Sequence, residues 1–441
     1  MLKPEKILFS LIFTAFFFVS SMLAEVTVSE DTLTFKAASY ENYIYPSMPW
    51  ETCFPYGRLD AENPKRFSMK ERVFKTLILE NEYLKLTILP GFGARIFDAV
   101  YKPTSEPLFY NTKVLVPWKL YWGGTGYINY IGGLKFGFPS FMHTPNNETA
   151  WQYKITKNSD KSISILLYDT DLETDLKISE TITLRPEAAN IEIDTLLENP
   201  TPYKRRYCYW IVAPMVQNDN VEFVFPTDRM ILHTSGWGVS ERTVLSWPVY
   251  NGEDLSFYRN WGKSQGLFPL NSKKEFVGSY DHGKKIGVVR IYPNDIVPGV
   301  KLWCTGTDGG AYEIFGGRTE TQEDYMYMNP GENVKWKEAW YPIRDTKGFI
   351  YANKDLALNL KKTKENRLLL WLASPDTLKE VDLKVLINND LKYGGKLNLV
   401  PSGSFNANID AKEDSKITII CVHENKEILR YETEMGKIKN E

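Results

Sequence analysis

Residues 190–199 read NIEIDTLLEN, and the alternation in that run decides the fold class. Ile191 and Ile193 stand opposite Glu192 and Asp194, the two-residue period of an extended strand with one face on a core and one on water. Working outward, EYLKLTIL (Glu82 to Leu89) puts Leu84, Leu86 and Ile88 on a common face, and TITL, KSISILLY, KKIGVVRI and GENVKWKEAWYPI repeat the pattern. Turn signals bound these runs: RPEAAN, NPTP, NDN and NPGEN. Convincing helical stretches are scarce. The main body therefore reads as all-β, a large antiparallel sandwich with long decorated loops rather than a chain of βαβ units.

The character of the chain changes twice. After about residue 350, NRLLLWLAS, EVDLKVLIN and KITIICVHENKEILRYE are short, charge-alternating strands with few glycine-aromatic loops, which predicts a separate small β-sandwich over 351–441. Residues 25–75 are turn-rich and aromatic (YIYPSMPWETCFPYGRLD), which predicts an N-terminal wrap over a main domain of 76–350. At the front, Lys3 and Lys6 precede ILFSLIFTAFFFVSSML, which closes on Ala24. That is the pattern of a signal peptide over residues 1–24, with an uncleaved anchor as the alternative. The expected location is periplasmic or secreted, with no integral membrane segment after cleavage.

A formal net charge of −2 carries no electrostatic footprint for nucleic acid or anionic lipid. Cys53, Cys208, Cys304 and Cys421 are too widely spread for a disulfide scaffold or a zinc motif. Aromatic residues make up 14% of the chain, and many fall in polar or glycine-rich segments. Rings with an apolar face and a polar edge suit the C–H faces of sugars, although large sandwiches also fill their cores with them.

Several blocks share order and spacing with a known family: LENEYLKLTILPGFGARIFDAVYKPTSEPLFYN, GGLKFGFPSFMHTP, RRYCYWIVAPMVQ, FPTDRMILHTSG, FVGSYDHGKKIGVVRI, PGVKLWCTG and AYEIFGGRTETQEDYMYMNPGENVKWKEAWYPI. Together they resemble the bacterial domain-of-unknown-function family five-one-zero-seven, which is similar in fold to galactose mutarotases. The resemblance implies a β-supersandwich, two twisted antiparallel sheets with a sugar-binding cleft on the concave face; no cofactor is expected and no metal ligand is assigned, while metal assistance stays open. Fold likeness does not name a reaction.

Candidate site residues follow from these blocks. The resemblance places a catalytic glutamate in a late strand before a Pro-Gly-Glu turn, and Glu313 in AYEIFGG stands so before Pro330-Gly331-Glu332. Its expected task is to take a proton from an anomeric hydroxyl, which needs hydrogen-bond reach and a pKa raised by partial burial. His143 ends the loop GGLKFGFPSFMH, where Gly132, Gly133 and Gly137 permit tight turns and Phe136, Phe138 and Phe141 can form a wall. With a pKa near neutrality it can donate to a ring oxygen or hydroxyl. Lys135 in the same loop stands where relatives carry an acid, a departure from a two-carboxylate mechanism. His233, followed by a serine, glycines and Trp237, is expected at another loop mouth as a second acid candidate.

Arg95 in GFGARIF offers a planar fork for vicinal hydroxyls or a uronate carboxylate. Tyr209 and Trp210 fall where mutarotases place a second histidine, so a direct copy of that acid–base chemistry is not expected; with Arg95, Lys135, Phe138, Trp237 and His282 they are assigned to substrate binding. His282 follows Asp281 in a turn, where such a pair is commonly structural. His423 lies on a strand of the small domain. Asp254 and Asp281 are weakly supported second carboxylates. DTDLETD (Asp169 to Asp175) lacks the glycine and terminal glutamate of a calcium loop. No phosphate loop, H-E-x-x-H or G-x-S-x-G is present.

These residues point to a carbohydrate-active protein that binds a saccharide end in an aromatic cleft, with Glu313 as base and His143 or His233 as acid. Glycoside hydrolysis, lyase elimination and epimerisation all stay open. The rival readings are a non-catalytic carbohydrate-binding protein, which would use the same aromatics, and a structural envelope protein with a filled cleft. Every catalytic version requires residues 143, 233 and 313 to meet around one hollow.

Overall fold

The computed structural model describes residues 25–120, 125–140, 143, 145–272, 274–306, 310–365 and 367–441. The signal-peptide expectation for residues 1–24 and Phe141 lie outside the described residues. Among them, strands carry nearly all the regular structure, and the helical pieces are 3-10 turns of three or four residues.

Two sheets build the main body. The first, eight-stranded, runs in the order Gln152–Lys157, Ile163–Thr170, Lys177–Leu184, Ile191–Glu198, Asn333–Arg344, Ile286–Ile291, Phe276–Asp281, Val221–Val224. The second, seven-stranded, runs Val244–Ser246, Arg229–Leu232, Ser264–Pro269, Gly299–Thr305, Ala311–Gly317, Trp210–Val216, Lys135–Gly137. All these pairings are antiparallel.

The core lies between these sheets. Ile191, Ile193 and Leu197 from one meet Ile211, Met215, Leu302 and Ile314 from the other in a single buried cluster. Burying one such side chain is worth about 1.5–3 kcal/mol, and a one-residue slip in any strand would turn its whole set outward. Register is therefore pinned, and with it the identity of every residue on the opposite face of the seven-stranded sheet.

A six-stranded sheet flanks this body. In it Thr27–Ala38 pairs along its full length with Met69–Glu80, which in turn pairs with Leu84–Leu89. The boundary expected at 75/76 falls inside the strand Met69–Glu80, so the irregular aromatic segment is what lies between these two long strands.

Beyond Tyr351, two four-stranded sheets enclose their own apolar cluster, with Leu358, Leu370, Leu383, Val385, Ile417 and Ile419 fully buried. They join the main body through Phe276, Tyr280, Tyr341, Phe349 and Ala373. The Tyr101 hydroxyl also donates to the Pro401 carbonyl at 2.6 Å. All four cysteines are buried and free of disulfides.

Candidate functional site

The two-residue period of the seven-stranded sheet builds the site floor. In GVKLWCT, Val300, Leu302 and Cys304 enter the core, which leaves Lys301 and Trp303 on the other face. In AYEIFGG, Tyr312 and Ile314 enter the core and leave Glu313 and Phe315 opposite. Pairing then aligns them: Trp303 stands across from Glu313, Lys301 across from Phe315, and Val212 across from both Phe315 and Lys135.

His233 joins the same row, its backbone N–H donating to the Gly266 carbonyl at 2.8 Å. Gly266 is required there, because a Cβ would lie 2.6 Å from the Trp303 ring and 2.9 Å from Lys301 Cε. Overhead, the hairpin of Pro117–Lys119 and Tyr127–Asn129 brings Trp118, Ile128 and Tyr130 across the floor. The enclosed cleft has a volume of about 420 Å³, within the roughly 300–1,000 Å³ usual for ligand sites.

Charge in this cleft is concentrated and buried. Glu313 is 2% exposed, and burial raises its pKa against the opposing pull of Lys135 and Lys301. The Tyr130 hydroxyl donates to Glu313 Oε1 at 3.3 Å. Burial pulls Lys301 down to about 7, with Glu313 and Glu323 opposing. Lys135 is likewise pulled down to about 7 by burial and by Arg95, against Glu148 and Glu313.

Lys135 Nζ lies 2.7 Å from His143 Nδ1. Burial first, then Lys135, Lys301 and Arg95, hold the His143 pKa well below its ordinary value. A neutral His143 accepting at Nδ1 from Lys135 carries its proton on Nε2.

A second chain orders the other side of the cleft. Lys301 Nζ donates to Gln322 Oε1 at 2.7 Å, and Gln322 Nε2 lies 3.2 Å from His233 Nε2. His233 Nδ1 faces Glu323 Oε1 at 3.2 Å. With Nδ1–H given to Glu323, His233 Nε2 accepts from the Gln322 amide. Burial alone would raise the Glu323 pKa, but hydrogen bonds from His233 and Thr321 outweigh it and hold the carboxyl at about 2.

Of the residues singled out in the sequence, Glu313, His143 and His233 line this one cleft. Lys135 and Arg95 lie beneath it. Arg95 is 1% exposed and donates from Nη1 to the Gly132 carbonyl at 2.8 Å, so it supports the floor and does not present its fork to a ligand.

The remaining assignments to a saccharide-contacting surface need correction. Phe138, Tyr209 and Trp210 are fully buried: Phe138 and Tyr209 sit in the central core, and Trp210 packs with Phe268 and Phe315 under Gly317. Their runs are apolar on both strand faces, which buries them from both sides. Trp237 packs edge-on against Trp261, with ring centroids 5.3 Å apart, rather than on the cleft. His282 pairs with Glu222 at 2.8 Å, away from the cleft lining. Asp281 accepts from Asn218 and from the backbone of its own turn, and Asp254 caps Ser256. Asp171 of DTDLETD accepts from Tyr56 and Thr174, a closed turn.

Sequence reasoning missed Lys301, Trp303, Gln322, Tyr130 and Trp118 as cleft residues. Lys301 and Trp303 carried a signal, the same alternation that exposes Glu313. Among the described residues, no group of three or more His, Cys, Asp or Glu is placed to hold a metal ion. The arrangement can instead move protons, with a buried carboxylate, a histidine of defined tautomer and two lysines near neutrality around one volume.

Residues 50–353 match the family described as Domain of unknown function (DUF5107), and the chain belongs to that family. Among solved structures, the chain is similar to a TPR-domain containing protein from Parabacteroides distasonis, with 19% identity and a TM-score of 0.64 over 75% of this chain. The match spans 57% of the length of that protein. It is also similar to a galactose mutarotase-like protein from Lactobacillus casei, with 10% identity and a TM-score of 0.45 over 61% of this chain and 100% of that one. A galactose mutarotase-like protein from Clostridium acetobutylicum is similar at 11% identity and a TM-score of 0.45, over 61% of this chain and 95% of that one. At these identities the likeness is one of fold. The chain is nearly all-β and its two main sheets are antiparallel, as its alternation predicts, while Thr27–Ala38 pairs in parallel with Val114–Leu115 in the flanking sheet; galactose mutarotase-like proteins are among its structural neighbours.

Proposed function

We propose that the cleft binds a saccharide end and that Glu313 exchanges a proton with its anomeric hydroxyl. The observation that carries this reading is a buried carboxylate on the floor of a cleft walled by Trp118, Tyr130 and Trp303. Burial makes that carboxylate a stronger base. It takes the O1 proton while the bond from C1 to the ring oxygen opens, and the electron pair moves to the ring oxygen. That oxygen takes a proton from His143 Nε2, and Lys135 returns one to Nδ1. The free aldehyde then rotates and closes by the reverse transfers, so that one anomer becomes the other with no net change in atoms.

Among the described residues Glu313 is the one carboxylate lining the cleft. The two carboxyl groups of a typical glycosidase, roughly 5–9.5 Å apart, are not assembled there, which favours proton transfer over hydrolysis. Anomer exchange followed by saturation-transfer NMR over a panel of reducing sugars tests this reading. The wild type accelerates exchange and Glu313→Gln does not; equal acceleration by both refutes it. Sugar binding without exchange in either protein makes the chain a non-catalytic carbohydrate-binding protein.

The proposed setting is the periplasm or the exterior, on the strength of the lysine-flanked apolar run ending at Ala24. Mature protein from fractionated cells is expected to begin near Glu25, and an intact N-terminus in the cytoplasmic fraction refutes that placement.

A further inference from the structure

The cleft does not end at His143. His143 and Leu120 are shared with an adjoining hollow of about 730 Å³. One wall of that hollow is Lys204, Arg205 and Arg206, held by the short strand Arg205–Tyr207 against Met326–Met328.

Among the described residues, these three cations lie over tyrosine rings and form no ion pair. Arg206 is 4.4 Å above Tyr325, Lys204 is 5.1 Å above Tyr327 and Arg205 is 5.6 Å above Tyr203. Arg205 Nε is buried with no hydrogen-bond partner among the described residues. Two acids share the lining, Glu173 and Glu323. Glu323 is engaged by His233 at 3.2 Å and Arg242 at 3.8 Å. Burial and Asp171 raise the Glu173 pKa, with Arg206 and Arg205 opposing. On the cleft side, Lys301 is 3% exposed and hydrogen-bonds a neutral amide.

The lining of the hollow thus carries three cations against two acids, with tyrosine rings beside the cations. Guanidinium forks match carboxylate and sulfate oxygens in pairs, and aromatic faces match pyranose rings.

We propose that the saccharide is acidic: a chain bearing uronate carboxylates or sulfate esters, with its end residue over Glu313 and the following residues against Arg205 and Arg206. This rests on the reading of the cleft as a saccharide site. A neutral chain would leave the Arg205 and Arg206 guanidinium forks with tyrosine faces alone, whereas an anionic one supplies paired acceptors.

Calorimetric titration with trigalacturonate, its carboxyl-reduced counterpart, a sulfated galactan tetrasaccharide and its desulfated form tests the proposal and separates the two sources of charge. At low salt one acidic probe is expected to bind at least about tenfold tighter than its uncharged counterpart, and the advantage shrinks as salt is raised. The double variant Arg205→Gln/Arg206→Gln, checked for an unchanged melting temperature, is expected to lose that advantage. Equal affinity for charged and uncharged forms, or an advantage unchanged in the double variant, overturns the proposal. Exchange of neutral reducing sugars by the wild type under those outcomes leaves the saccharide reading standing; absence of all sugar binding and exchange overturns both.

Discussion

Lys135 Nζ and His143 Nδ1 are 2.7 Å apart beneath the cleft, so two groups that can each carry a positive charge share one buried contact. They cannot both be charged there at low cost. Burial lowers both, and the lysine keeps the higher affinity for the proton, at about 7 against a histidine held well below its usual range. The contact therefore sets the histidine tautomer and places a proton donor behind it.

Replacing Lys135 with methionine removes that donor and the second-largest influence lowering the His143 pKa, burial being the first. The His143 pKa should rise but stay below its ordinary value, because burial remains. Anomer exchange should fall by about 10²-fold, the usual scale for one acid–base partner. An NMR titration of the His143 ring protons checks the shift, and an unmoved titration removes Lys135 from the relay.

Lys301 makes stability depend on pH. Its folded pKa is about 7, against roughly 10.4 in an unfolded chain. Between those values the unfolded state binds the extra proton, so stability rises with pH across that window. Below about 7 both states are protonated and the cost of burying the charge is present in full. Lys301→Met should therefore raise stability by about 1–3 kcal/mol at pH 6, with the gain shrinking toward pH 10. Thermal melts of both proteins across that range check the sign; a gain that grows with pH contradicts the buried-lysine account.

Much of this site can be read from alternation, and its limits are physical. In AYEIFGG the period separates Glu313 from its core neighbours, and GVKLWCT does the same for Lys301 and Trp303. What the period does not carry is which non-core face opens onto a cavity. In CYWIVAP both strand faces are apolar, so Tyr209 and Trp210 offer no contrast to read, and both are buried. Tyr130 and Trp118 reach the cleft from a loop hairpin whose path is set by packing far away in sequence. His282 attracted notice by residue type alone, and its Glu222 partner lies 60 positions away.

Glu313→Gln should separate activity from stability. Burial raises the folded pKa of Glu313, so its contribution to stability is largest at low pH and falls as pH rises through that pKa. The amide keeps the shape and carries no charge to desolvate. At pH 8 the variant should melt no lower than the wild type, while exchange drops by about 10³-fold or more. A marked loss of stability would assign Glu313 to the framework instead of the chemistry.

Behind Glu313, an ion pair joins two neighbouring strands of the eight-stranded sheet and abuts the strand of the other sheet that carries Glu313. Arg290 Nε donates to Glu338 Oε2 at 2.8 Å, with side chains 0% and 1% exposed, and the Trp336 indole donates to Glu338 Oε1 at 3.0 Å. The guanidinium rests on Gly316, three positions after Glu313, where an added Cβ would fall 2.0 Å from Arg290 Nη2. Glu338→Gln leaves Arg290 charged in a buried setting and should cost about 3–5 kcal/mol, whereas the double change Arg290→Met/Glu338→Met should cost less because both charges leave together. Gly316→Ala should cost about 1–3 kcal/mol through overpacking, and should slow exchange by displacing the strand that carries Glu313. Urea denaturation of the three variants orders them. A Glu338→Gln protein as stable as the wild type would mean that Arg290 finds another acceptor, and that this pair does not set the position of the strand carrying Glu313.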